Sequence, residues 1–266
     1  MKTIMTVNNL SKSYGDNQIL KQLSFEVYKG EILGILGTNG AGKTTLLECL
    51  EGLRKYDSGE ITITGKIGIQ LQNAMLPAYI KVIEAINLYA SWNNCQVSNE
   101  LIKKLKVDQL AKKQYQQLST GQKMRLHLLL SLINDPDILF LDEPTAGVDV
   151  EGKLSLHQLI LDLYAQGKTI ILSSHDMNEI EKLCHRVIIL NHGQIAFIGS
   201  LNELRHQADC NYRINLVTKN QKIIKKAQNI TELITILSKY QADIDDLSIN
   251  RDTLQDYFLD LVRGEK

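Results

Sequence analysis

The run Gly37-Thr38-Asn39-Gly40-Ala41-Gly42-Lys43-Thr44 fits the pattern Gly-x4-Gly-Lys-Ser/Thr. Its residue types suit phosphate chemistry. Glycines permit a tight loop whose backbone N–H groups point inward at phosphate oxygens, and a helix starting near Lys43 adds its positive dipole end. Lys43 would reach the β- and γ-phosphates as a point charge, the Thr44 hydroxyl would ligate Mg²⁺, and Thr45 completes the binding set. A second element carries acid: Asp137-Ile138-Leu139-Phe140-Leu141-Asp142-Glu143-Pro144 is an apolar strand ending in two carboxylates. Beside a phosphate loop, Asp142 can hold Mg²⁺ through water. Glu143, one residue on, would point away from Asp142 and face an attacking water, and Pro144 stops the strand.

These groups need a scaffold. Glu31 to Leu36 is an apolar run of buried-strand type leading straight into the glycine loop, and Lys43 to Leu50 has helical spacing. Before it, Thr6 to Leu10 and Ile19 to Val27 alternate as two antiparallel strands joined by a turn. After it, strands at Ile138–Leu141, Thr169–Leu172 and Arg186–Leu190 alternate with helices at Gly152–Tyr164 and Asp176–Leu183. That order predicts an α/β fold with a mainly parallel core sheet and an N-terminal antiparallel β subdomain. Lys81–Trp92, Asn99–Leu105 and Gly121–Ile133 have helical patterns, so a helical subdomain is expected to be inserted over about 73–134. Beyond Gly199 the pattern weakens to a strand at Tyr212–Val217, a helix at Thr231–Tyr240 and a last helix carrying Leu254, Tyr257, Phe258, Leu261 and Val262. The expected division is 1–208 for the main domain and 209–266 for a small C-terminal accessory unit.

Composition narrows the class. Thirty basic and thirty acidic side chains in 266 residues give zero formal charge, without the basic excess that nucleic-acid binding requires. No nucleic-acid partner is expected. The longest apolar stretch, around Ile133 to Leu141, is interrupted by Asn134, Asp135, Pro136 and Asp137, so no membrane span is expected, and Met1 to Leu10 does not read as a signal peptide. Cys49, Cys95, Cys184 and Cys210 are scattered, which points to reduced thiols and not to a zinc site or disulfides.

Between the phosphate loop and the carboxylates lies Leu118-Ser119-Thr120-Gly121-Gln122, which resembles the LSGGQ signature of ATP-binding cassette (ABC) ATPases. Taken alone, it reads as a helix N-cap formed by Ser119 or Thr120. Other marks follow in the family's order. Tyr14 takes the place of the adenine-stacking aromatic, Gln72 that of the Q-loop glutamine, Asp149 that of the D-loop aspartate, and His175 that of the switch histidine. Two positions depart from the pattern: Thr120 stands where the signature usually has Gly, and Thr38 where many members have Pro. The tail, Thr253 to Leu261, resembles the ending of bacterial export-type cassettes of the multidrug and antibiotic-resistance kind.

The resemblance implies a P-loop NTPase cassette that binds ATP with Mg²⁺. Catalytic roles fall to Glu143, His175, Lys43 and Gln72, and metal contacts to Thr44, Gln72 and Asp142. Around the nucleotide stand Tyr14, residues 37–45 and, from a second cassette, Ser119, Gly121, Gln122 and Asp149. It further implies an ATP-dependent head-to-tail dimer with a second copy or a related ATPase, and a separate polytopic permease. The chain would then be cytoplasmic, held at the inner face of the membrane by that permease. The segment Asn73 to Tyr89, with Met75, Leu76, Pro77 and Tyr79, is the candidate permease groove. Alternatives are a cassette ATPase acting on a soluble or nucleic-acid partner, and a kinase using the same loop, which leaves the signature, Gln72 and His175 unemployed.

Overall fold

A computed structural model describes residues 2–70, 75–208, 212–218, 222–240, 244–251 and 253–263. The chain forms two compact units, Met1–Ile198 and Gly199–Lys266. In the first, β1 (Thr3–Tyr14) and β2 (Asn17–Tyr28) form the expected antiparallel pair. Then come β3 (Ile32–Gly37), α1 (Lys43–Leu50), β4 (Ser58–Ile63) and β5 (Ile67–Gln70). Strand β4 joins the far side of β1, giving a three-stranded antiparallel sheet in the order β2-β1-β4. Sequence reading left β4 and β5 unassigned. β4 is mostly exposed and opens on Ser-Gly-Glu, and β5 has four residues, so neither presents a long alternation.

The helical insert holds α2 (Val82–Trp92), α3 (Asn99–Lys104) and α4 (Thr120–Leu132), with no strand among the described residues between 75 and 134. The core then resumes with β6 (Ile138–Asp142), α5 (Val150–Ala165), β7 (Thr169–Ser174), α6 (Met177–Leu183), β8 (Arg186–Asn191) and β9 (Gln194–Ser200). Helix α5 starts two residues earlier than its apolar pattern, because Asp149 caps it. The main sheet runs β5-β6-β7-β3-β8-β9, with the contacts from β5 through to β8 all parallel. β9, also unassigned from sequence, returns through His192 and Gly193, whose positive φ values suit a two-residue hairpin.

β3, β6 and β7 are buried along their whole length, as strands covered on both faces must be. On one face, Leu46, Leu47 and Leu50 of α1 pack with Phe140, Ile171 and Ile188 in a core shared with the antiparallel sheet. The helix that begins at the phosphate loop is therefore anchored to the strand that ends in Asp142.

The second unit contains α7 (Leu201–Ala208), β10 (Tyr212–Thr218), β11 (Lys222–Ala227), α8 (Ile230–Tyr240), β12 (Ile244–Arg251) and α9 (Leu254–Arg263). Its antiparallel sheet has the order β11-β10-β12, and Leu233, Ile236 and Leu237 of α8 pack on Ile214, Leu216 and Ala227. Tyr257 Oη of α9 donates to Gln207 of α7 at 2.6 Å. Sequence reading left α7, β11 and β12 unassigned, since polar and charged residues interrupt their apolar positions: Asn, Glu, Arg, His and Gln in α7, lysines in β11 and aspartates in β12.

One buried acid stands outside every sequence expectation. Glu51, at the C-cap of α1, is buried with no hydrogen-bond partner for either carboxylate oxygen. Burial, then the charges of Asp142 and Glu48, push its pKa from an ordinary 4.5 up to about 7. The C-terminal end of a helix adds to the cost of a negative charge there. Because the folded value lies above the unfolded one, Glu51 costs stability progressively as pH rises from about 4.5 to about 7. Glu51→Gln is expected to match the parent near pH 4.5 and to exceed it by on the order of 2–3 kcal/mol at pH 8, read from urea unfolding at the two pH values.

Candidate active site

The glycine loop connects the C-terminal end of β3 to α1. Gly40 and Gly42 have φ of 81° and 105°, a region that disfavours any side chain. A Cβ on Gly37 would stand 2.9 Å from the Leu190 carbonyl oxygen, so the strand end and the loop are pressed together. Gly42 is the N-cap of α1 and offers no side-chain acceptor, which leaves the first-turn amides for an external anion. Lys43 is 6% exposed, and its Nζ donates to the carbonyl oxygens of Gly37 at 2.9 Å and Thr38 at 3.3 Å.

Strand order brings the carboxylates in. β7 lies between β3 and β6, and Ser173 stands opposite both Ile35 of β3 and Asp142 of β6. Ser173 Oγ donates to Asp142 Oδ1 at 2.5 Å and accepts from the Glu143 N–H at 3.0 Å. The Thr44 hydroxyl lies close enough to the same Asp142 carboxylate to favour its charged form. Asp142 is 4% exposed, and burial raises its pKa against the opposing effect of the Ser173 and Thr44 hydrogen bonds.

Glu143 Oε1 lies 3.6 Å from Lys43 Nζ and 3.3 Å from His175 Nδ1. Its orientation does not come from strand alternation. β6 ends at Asp142 and Glu143 takes φ of 45°, so the turn before Pro144 aims the side chain. A cleft of about 900 Å³ is bounded by the loop residues Asn39, Gly40 and Gly42 to Thr45, together with Tyr14, Ile19, Glu143 and His175. Tyr14 is partly exposed, with Lys12 Nζ and Arg54 Cζ 5.5 and 5.4 Å from its ring centre.

The remaining residues gather elsewhere. Ser119, Gly121, Gln122 and Asp149 line a second cleft of about 830 Å³ with Thr120, Arg125 and Gly147, and it shares no lining residue with the first. Ser119 is the N-cap of α4: its Oγ accepts from the Gln122 N–H at 3.3 Å, and Gln122 Oε1 accepts from the Ser119 N–H at 3.2 Å. Thr120 is the first residue of the helix and not its cap. Asp149 caps α5 by accepting from the Gly152 N–H at 2.9 Å. Gln72 lies outside the described residues. Sequence reasoning missed Ser173 as a site residue. The available signal was a small hydroxyl at the end of an otherwise apolar buried strand.

A glycine loop between a parallel strand and a helix, an acidic strand end beside it, and a capped helix opening on Ser119-Thr120-Gly121-Gln122 define a P-loop ATPase of the cassette class. The ABC transporter family matches residues 20–146. An uncharacterized ABC transporter ATP-binding protein of Methanocaldococcus jannaschii is 36% identical over 267 residues, covering 98% of this chain and 100% of that protein. Nod factor export ATP-binding protein I of Burkholderia lata is 36% identical over 204 residues, covering 70% of this chain and 67% of that one. A dimeric bacterial ABC transporter cassette superposes with a TM-score of 0.67 at 26% identity over 74% of this chain and 99% of its own. The chain belongs to the ABC transporter ATP-binding protein family and is an ABC-type ATPase.

Ser173 joins two strand ends and serves two buried polar groups. Ser173→Ala would leave Asp142 short of a donor and the Glu143 N–H short of an acceptor. A loss of about 1–3 kcal/mol is expected from denaturant unfolding at neutral pH.

Proposed function

We propose that this chain is the motor subunit of an exporter: two cassettes close head to tail over ATP at the inner face of the membrane and drive a separate polytopic permease. The observation that carries the hydrolytic part is the placement of one Glu143 carboxylate oxygen between Lys43 and His175, at the mouth of the glycine loop. Glu143 accepts a proton from the attacking water, His175 donates to the γ-phosphate, and the Lys43 ammonium with the loop amides holds the β- and γ-phosphate oxygens. Tyr14 offers its ring face to the adenine.

Mg²⁺ fits this site. Thr44 and Asp142 offer neighbouring oxygen donors, the chemistry a hard cation takes, and few protein ligands suffice because phosphates and water complete the shell. With Gln72 they form the proposed ligand set, and the ion would neutralise charge on the phosphate oxygens.

The separateness of the two clefts supports the dimer. Ser119 and Gly121 line a cleft that shares no residue with that of the Lys43 loop, so they are assigned to the nucleotide of a second cassette, with Asp149 at the interface. Closure then depends on the third phosphate, and hydrolysis releases it. Coupling to a permease is assigned to the start of the helical insert, where Met75 and Tyr79 are 87% and 73% exposed. No helix among the described residues is long and apolar enough to cross a membrane. Export is favoured by the tail and by similarity to proteins named for Nod factor export.

Glu143→Gln is expected to keep ATP affinity while turnover falls by on the order of 10²–10³, and closed dimers should accumulate in gel filtration with ATP. Parental turnover would remove Glu143 from the role of base. Ser119→Arg should bind ATP as a monomer and fail to dimerise, and ATP-dependent dimers of that variant would refute the trans arrangement. A tagged chain purified from gently solubilised membranes should carry a polytopic subunit with it, and its absence would count against the transport role.

A further inference from the structure

Ser173 and Ser174, which end β7, and His175 just beyond it turn to different sides. Ser173 and His175 face the site, where they meet Asp142 and Glu143. Ser174 faces the other way, where its Oγ donates to Glu179 Oε2 of α6 at 2.6 Å and accepts from the Asp176 N–H at 3.0 Å. The residues on both sides of His175 therefore hang on one hydroxyl, and that hydroxyl's orientation is set by where its single proton goes. A carboxylate offers only acceptors, so Glu179 takes the proton and leaves a lone pair of Ser174 Oγ for Asp176. Glu179 is 4% exposed, and its other oxygen lies 3.4 Å from His157 Nε2 in α5, the helix that Asp149 caps. Burying a carboxylate is costly, and no role assigned above uses this one.

We propose that Glu179 is a positioning residue for hydrolysis. Through Ser174 it holds the backbone on either side of His175, and through His157 it fastens that strand end to the helix bearing Asp149. The inference rests on the assignment of His175 to the γ-phosphate. It makes α5 and α6 the rigid backing of the histidine, so that a shift at Asp149 would be felt at His175 without any contact between them.

The test uses the full chain, with ATP affinity from equilibrium titration and kcat and KM from steady-state hydrolysis. Glu179→Ala is expected to lower kcat on the order of tenfold, since small misplacements at a reacting centre are expensive, while affinity and KM stay within about twofold. Glu179→Gln, whose amide oxygen can still accept the Ser174 proton, should recover most of the loss. In a His175→Ala background, Glu179→Ala should have no further effect on kcat. Unchanged kcat in Glu179→Ala would overturn the proposal, as would the same tenfold loss in the His175→Ala background. If Glu179→Ala does not fold, Ser174→Ala breaks the same link from the strand side and carries the same expectations. Parental turnover by His175→Ala alone would overturn the histidine's assignment and this inference with it; a large loss there, with a silent Glu179→Ala, removes the inference and leaves the assignment standing.

Discussion

A buried ammonium must be surrounded by oxygen, and Lys43 sets that condition at the end of β3. Two of its partners are the carbonyls of Gly37 and Thr38, which must turn inward to reach Nζ. That turn is possible because Gly40 and Gly42 adopt φ values other residues avoid, and because Gly37 leaves room for the Leu190 carbonyl. The third partner is the Glu143 carboxylate, which arrives from the turn that follows β6. The site thus depends on sheet order as much as on the loop, since β6 and β3 must flank β7 for Asp142, Ser173 and Thr44 to meet.

Two of the family motif residues share a structural habit with the neighbour of a third. Ser119, Asp149 and, next to His175, Asp176 are each the N-cap of a helix, satisfying first-turn amides with a side-chain oxygen. Each motif is therefore a rigid junction between a loop and a helix, and a contact at the loop passes directly to the helix axis. For the Ser119 motif, the reading as a cap holds, and the cap is compatible with the proposed role as a signature. The capping box closes the Ser119–Gln122 turn and so presents the Gly121 amide in a fixed direction.

Polar burial around the site works against the stability of the fold. Asp142 has a raised pKa because burial outweighs the opposing hydrogen bonds, so its charged form is held at a cost that the fold tolerates. Glu51, raised further and without the hydrogen bonds that Asp142 enjoys, adds a second acid near the same strand end. Such groups persist where function or the surrounding packing over-determines them, and the proposed use of Asp142 is as an oxygen donor to a hard cation.

The sequence by itself determined the class of the protein. The glycine loop, the acidic strand end and the capped signature are local patterns, each readable within eight residues because backbone sterics, helix capping and strand burial act at short range. The parallel core, the antiparallel N-terminal pair and the helical insert were legible for the same reason. Short, half-exposed or charge-interrupted strands such as β4, β5, β11 and β12 were not, since their pairing is fixed by neighbours distant in the chain. Only the tertiary structure decided that Ser173 would bridge Asp142 and Glu143, that a left-handed turn would aim Glu143, and that Glu179 would stand behind His175. Each of these is set by the lateral order of β6, β7 and β3 and by the packing of α5 and α6, and lateral order arises from long-range packing that no local spacing encodes.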